Sequence, residues 1–248
     1  MEQSLVFIHG FLGQTTDWQP IVSTLGSGRT SFHCLDLNQD FSISELNFQN
    51  WADAFLHWTK KQKISAPMCL VGYSMGGRLI GPLLEKGFAN KAVFLSSQFG
   101  LPADDFQQRA ERRLFNQTWA QKFLNEPWQK VSADWNQQAI FNQSTAPVRK
   151  ESDFDRQKLA AMLTGFSISE QKDYSSLWQR NDLKTLYMAG ENDLKYLAIA
   201  QEIQSKANNV QVRIIKNAGH RLLLDQPQIV AQEISNFISV LKKSSEKF

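Results

Sequence analysis

The chain has 248 residues, 42% of them hydrophobic and 21% charged, with a formal net charge of +3. That composition excludes a disordered, collagen-like or coiled-coil chain, and the length is enough to bury a core without disulfide or metal staples. The basic excess is too small and dispersed to point to nucleic acid, and no apolar run reaches the ~18–20 residues of a membrane span.

From the start, MEQSLVFIHGFLG carries an acidic second residue and no small-residue cleavage site, so no secretory signal and a cytoplasmic protein are expected. Short apolar runs follow at Ser4–Ile8, Ser31–Leu37, Met68–Val71 and Ala92–Leu95, each bounded by turn residues and read as a strand. Cys34 and Cys69 lie inside two of these runs and read as buried thiols of a reducing compartment. Between the second and third runs, Trp51, Phe55 and Trp58 recur at helical spacing and predict a helix over 47–61. The alternation stops near Phe99. It resumes near Lys184 with the strand TLYMA, a helix from Leu194, the strand Val210–Ile215, and an amphipathic helix from Pro227 to Leu241. Strands alternating with helices predict a mostly parallel sheet covered on both faces. Residues 101–183, rich in Gln, Asn and Arg, show helical periodicity and predict a cap inserted between two strands. The core is then 1–100 and 184–248.

Gly72-Tyr73-Ser74-Met75-Gly76-Gly77 directly follows the third strand and opens a helix. A serine at a sharp strand-to-helix turn stands exposed above the sheet, and the small residues two before and two after it prevent collision. A lone Gly-x-Ser-x-Gly is weak; its context raises it. His9-Gly10-Phe11-Leu12-Gly13 follows the first strand, so the backbone amides of Phe11 and Met75 are candidates for a two-donor oxyanion hole. His9 reads as a brace of that loop. Asp193 follows the fifth strand and His220 the sixth, in the chain order Ser…Asp…His. His220 would take the serine proton and Asp193 would fix its tautomer. Two alternatives stay open at the acid: Asp193 as a helix N-cap, and Glu191 as the acid. His33 and His57 read as structural.

These four elements in order resemble the α/β-hydrolase family across nearly the whole chain. Two departures stand out. The first strand begins at residue 4, leaving no room for the antiparallel hairpin that often precedes it, so an all-parallel sheet is expected. LDLNQD at 35–40 stands where relatives carry an Asp-x-Pro-Gly-His-Gly loop.

The insertion narrows the resemblance. Arg78 after the Gly-x-Ser-x-Gly turn, Gln108-Arg109-Ala110-Glu111-Arg112, Phe123-Leu124-Asn125-Glu126-Pro127, Ala133-Asp134-Trp135-Asn136-Gln137-Gln138 and Leu159-Ala160-Ala161-Met162-Leu163 occur in order. Together they resemble the 2-succinyl-6-hydroxy-2,4-cyclohexadiene-1-carboxylate synthases of menaquinone biosynthesis. The resemblance implies a lyase that eliminates pyruvate from 2-succinyl-5-enolpyruvyl-6-hydroxy-3-cyclohexene-1-carboxylate with no cofactor and no metal. It implies Arg78, Arg112 and Trp135 as substrate contacts, and Arg149 as a third arginine, with Lys150 and Arg156 as alternatives because the register slips there. Guanidinium groups suit a polycarboxylate because they bind carboxylates in bidentate geometry. Tyr73, beside the serine, is a further candidate for the pocket wall. Arg109 and Arg113 read as a solvated helix face, and Trp119 and Trp128 as packing between cap helices. Asn136 replaces the tyrosine usual in the family's Trp-Tyr-Gln-Gln segment.

The expected partner is thus a small polycarboxylate, with neither nucleic acid nor membrane insertion, and the protein a monomer or weak homo-oligomer. The rival readings are a serine esterase or thioesterase working through an acyl-enzyme, and a non-catalytic binding protein on the same fold.

Overall fold

Six apolar runs pair side by side, all parallel, in the order β2-β1-β3-β4-β5-β6. A computed structural model describes residues 3–26, 30–64, 67–207 and 209–245. Its strands are β1 (Gln3–Ile8), β2 (Thr30–Leu35), β3 (Met68–Tyr73), β4 (Lys91–Leu95), β5 (Lys184–Gly190) and β6 (Val210–Ile215). The helices are α1 (Gln19–Leu25), α2 (Trp51–Lys61), α3 (Met75–Arg78), α4 (Ile80–Glu85), α5 (Phe106–Asn125), α6 (Trp128–Asn136), α7 (Arg156–Gly165), α8 (Leu194–Lys206), α9 (Leu222–Asp225) and α10 (Pro227–Ser245). Residues 1 and 2, part of the segment expected not to be a signal, lie outside the described residues.

The twofold periodicity of the strands sorts the core into two layers. Leu5, Phe7, Cys69, Val71, Val93 and Leu95 meet Trp18, Ile21 of α1 and Val230, Ile234 and Phe237 of α10. Val6, Ile8, Leu70, Ala92 and Phe94 meet Trp51 and Phe55 of α2, Leu83 of α4 and Ala200 of α8. Both faces of the central strands are covered, so β1, β3 and β4 are mostly apolar and buried, whereas the edge strands β2 and β6 are only partly buried. Cys69 is buried and Cys34 half-buried, both as free thiols. Among the described residues no helix is long and apolar enough to cross a membrane.

β2 stops two residues before the expected Leu37. The cause is local: the Asp36 carboxylate accepts the Asn38 and Gln39 amides at 2.8 and 3.2 Å, folding LDLNQD into a turn. Leu37 remains buried, its amide donating to His9 Nε2 at 3.0 Å. α2 likewise begins at Trp51 rather than 47, because the Asn47 side chain accepts the Asn50 amide at 3.0 Å in a preceding turn.

Between β4 and β5 the chain runs through α5, α6 and α7. Asp105 and Asp155 cap α5 and α7, accepting amides of Gln108, and of Gln157 and Lys158. Trp119, Phe123, Trp128 and Trp135 are buried among these helices and join the same apolar cluster as Ile8 and Phe94. Arg109 is not on a solvated face. Its guanidinium donates to the carbonyls of Leu101, Pro102, Ser169 and Gln171, stapling the start of α5 to the turn after α7. Arg113 is exposed and pairs with Glu170 at 2.8 Å.

Candidate active site

The strand order reverses between β1 and β3, and the crevice at such a point lies outside the carboxyl ends of the strands. Ile8 is in register with Gly72, so the turn carrying Gly10 and Phe11 lies beside the turn carrying Ser74 and Met75. The contact is close: a Cβ on Gly76 would collide with the carbonyls of Ile8 and His9, and one on Gly72 would lie 2.6 Å from the Gly76 carbonyl oxygen. Only glycine lets the two turns meet.

Ser74 itself has φ 52° and ψ −111°, a strained backbone for a residue with a side chain. Its amide donates to the Leu95 carbonyl at 2.8 Å, and its carbonyl accepts the Ser97 hydroxyl at 2.8 Å. Those bonds hold the elbow from β4. Ser74 Oγ lies 3.0 Å from His220 Nε2, and His220 Nδ1 lies 2.7 Å from Asp193 Oδ2. Asp193 and His220 are both buried. Burial lowers the His220 pKa, opposed by its bond to the Asp193 carboxylate. The neutral ring therefore carries its proton on Nδ1 toward Asp193 and offers Nε2 to the serine hydroxyl.

Loop crossings bring the acid and the imidazole together. Gly190 pairs with Ile215, the Asn192 amide donates to the Ala218 carbonyl at 2.9 Å, and a Cβ on Gly190 would collide with the carbonyls of Ala218 and Gly219. Asp193 occupies the N-cap position of α8, but its side chain makes no cap bond. Glu191 is exposed and accepts the Asn217 amide at 3.2 Å instead of reaching His220. His9 braces its loop, with Nδ1 2.7 Å from the Gly10 carbonyl and Nε2 accepting from Leu37.

A cavity opens above Ser74. Phe11, Ser74, Met75, Arg78, Arg112, Trp135 and His220 line it. Among the described residues neither the Phe11 nor the Met75 amide has a protein acceptor. The Trp135 ring lies 4.7 Å from that of Phe11, so the insertion roofs the first turn directly. Tyr73 is not in the cavity wall: its ring packs 5.5 Å from His220 and supports Gly10 from behind.

Arg149 does not line the cavity either. Its guanidinium donates to the Leu12 carbonyl at 2.7 Å, to Gln14 Oε1 at 3.1 Å and to Asp17 Oδ2 at 2.6 Å, which directs all three nitrogens to the segment after β1. Of the alternatives, Arg156 is held by Glu151 and by the carbonyls of Phe123 and Glu126. Lys150 is exposed. Asn136 also lies outside the wall, accepting a bond from Arg221.

Lys195 and Tyr196, in the first turn of α8, line the cavity without having been singled out in the sequence. Their one sequence signal is position, two and three residues past Asp193, where a helix start shares the acid's crevice. The cations here are crowded. Burial lowers Arg78 to about 10, with Arg112 adding to the effect, and lowers Arg112 as well. Burial and then the Arg112 and Arg78 charges lower Lys195 to about 8. Among the described residues none of the three pairs with a carboxylate, and no group of three or more His, Cys, Asp and Glu side chains is placed to hold a metal ion. A base-activated hydroxyl, two free amides and three unpaired cations suit a reaction that develops negative charge on an anionic substrate.

A model of the alpha/beta hydrolase family matches residues 5–233. A Salmonella arizonae protein named 2-succinyl-6-hydroxy-2,4-cyclohexadiene-1-carboxylate synthase is 30% identical over 94% of this chain and 93% of its own. Its Salmonella typhimurium namesake is 30% identical over 95% and 93%. Among solved structures, MenH from S. aureus superposes with a TM-score of 0.82 at 21% identity, covering 96% of this chain and 94% of that one. A bromoperoxidase from Bacillus anthracis gives 0.72 at 14% identity, covering 96% and 92%. At such identities the two structures speak for the fold alone, which hosts more than one chemistry. On the family match and the near full-length relatives together, the chain belongs to the alpha/beta hydrolase family.

Proposed function

We propose that this protein is a carbon–oxygen lyase that eliminates pyruvate from 2-succinyl-5-enolpyruvyl-6-hydroxy-3-cyclohexene-1-carboxylate in menaquinone biosynthesis. The observation that carries the reading is the pairing of a triad-like array with Arg78 and Arg112 in one cavity, in a chain whose relatives bear the synthase name. Residues 101–183 act as the cap, supplying Arg112 and Trp135 as its substrate contacts. Free Cys34 and Cys69 fit a cytoplasmic setting.

The chemistry is proton abstraction. The ring hydrogen beside the succinyl ketone is acidic because its removal gives an enolate conjugated with the ring double bond. His220, its imidazole held by Asp193, draws the Ser74 proton, and the Ser74 oxygen takes the hydrogen from carbon. Phe11 and Met75 amides stabilise charge on the ketone oxygen. The electron pair moves through the ring, the carbon–oxygen bond to the enolpyruvyl group breaks, and the departing enolate takes one proton to become pyruvate. One proton leaves carbon and one returns, so no water or redox partner is consumed.

The competing reading, an esterase with an acyl-enzyme, rests on the same Ser74–His220 contact. Incubation with the enolpyruvyl precursor separates the two. The lyase releases pyruvate with the diene chromophore and leaves Ser74 unmodified by mass spectrometry. A burst with an activated ester, a Ser74 adduct and no pyruvate would overturn the lyase reading.

A further inference from the structure

Three cationic heads meet in the cavity from three separate elements: Arg78 from α3, Arg112 from α5 and Lys195 from α8. Like charges gathered on one cavity repel one another, and an anion bound between them offsets that repulsion. Arg112 Nε is buried without any hydrogen-bond partner. Lys195 differs from the two arginines in one respect. With Ile140 it also lines a second, more open groove bounded by Asn142, Gln143 and Glu191. Lys195 therefore borders both the reaction cavity and the groove beside it.

We propose that Lys195 is the third carboxylate-binding residue of the site, and that it holds the carboxylate of the arm that departs as pyruvate. This rests on the lyase reading, whose substrate carries three carboxylates: on the ring, on the succinyl arm and on the enolpyruvyl arm. Arg78 and Arg112 take the two that stay. The departing fragment is small and singly charged and needs a cation that reaches the open groove. A flexible ammonium can follow it outward, where a planar guanidinium fixed in the cavity cannot. Lys195 thereby takes the part expected of Arg149.

Lys195 faces Arg78 and Arg112 as like charges and Asp193 as the opposing one, with Tyr196 and His220 the other titratable groups around it. With its proton leaving near pH 8, substrate affinity falls as pH rises through that value. An arginine at the position stays charged and removes the effect.

The test compares wild type, Lys195→Gln and Lys195→Arg. In the glutamine variant KM for the precursor rises about tenfold, the loss expected for one charge-assisted contact, and inhibition by pyruvate weakens while inhibition by succinate does not. The arginine variant restores KM and keeps it low above pH 8. Unchanged KM in the glutamine variant, or equal weakening by both inhibitors, overturns the proposal. Calorimetry with benzene-1,3,5-tricarboxylate needs no turnover. Should wild type fail to act on the precursor, the lyase reading falls. Tricarboxylate binding that is about tenfold weaker in the glutamine variant then still supports the three-cation site, and equal binding overturns it.

Discussion

The guanidinium of Arg149 holds the carbonyl of Leu12 at 2.7 Å, one residue past Phe11 in the turn after β1. Leu12 is left-handed at φ 54°, a costly conformation for leucine, and it persists because its surroundings over-determine it. The same guanidinium pairs with nearly buried Asp17, and Trp128 donates its indole N–H to the Arg149 carbonyl at 2.9 Å. An arginine of the insertion thus fixes the shape of the turn that carries one proposed oxyanion donor.

Replacing Arg149 by alanine should therefore lower kcat more than it raises KM. Breaking a buried pair costs about 3–5 kcal/mol of stability, and losing one oxyanion donor costs roughly a hundredfold to a thousandfold in rate. Steady-state kinetics with thermal denaturation checks both. A pure rise in KM would instead assign Arg149 to the substrate.

Gly76→Ala places a methyl group against the carbonyls of Ile8 and His9. Since the obstacle is backbone, relief requires the two turns to separate, and a loss of about 3 kcal/mol or more is expected together with activity. Gly26→Ala, where nothing lies within 4 Å but φ 73° with ψ 167° is a region kept for glycine, should cost about 1–3 kcal/mol of stability and leave kcat unchanged. Denaturant melts of both variants measure the contrast.

In the proposed mechanism His220 acts in its neutral form, and burial lowers its pKa below the ordinary 6.5. As pH falls through that lowered value the ring gains a proton on Nε2 and can no longer accept from Ser74. The acid limb of kcat/KM should therefore show an apparent pKa below 6.5. Asp193→Asn, which leaves the shape but loses control of the tautomer, should reduce kcat by a factor on the order of 10⁴.

The sheet was legible because strands buried on both faces read as unbroken apolar runs, and turn glycines marked their ends. Ser74, Asp193 and His220 could be picked out because each follows a strand that delivers it to one crevice. Arg149 shows the limit. Its residue type and rough position suited a substrate contact, yet which polar group a guanidinium meets depends on how the loop around 147–154 lies across residues 12–17. Sequence spacing does not carry that. Arg109 fails in the same way, two of its carbonyl partners, Ser169 and Gln171, lying 60 and 62 residues along the chain from it. Lys195 and Tyr196 belong to no motif, and only the crossing of the β5 and β6 loops makes them part of the cavity.

The central claim, that Ser74 with His220 drives elimination of pyruvate, is tested most directly by mixing enzyme with the enolpyruvyl precursor and following pyruvate and diene absorbance together. The account predicts one pyruvate per diene formed, and loss of both signals in Ser74→Ala while its circular dichroism stays that of the folded protein. Full turnover by a folded Ser74→Ala protein would contradict it.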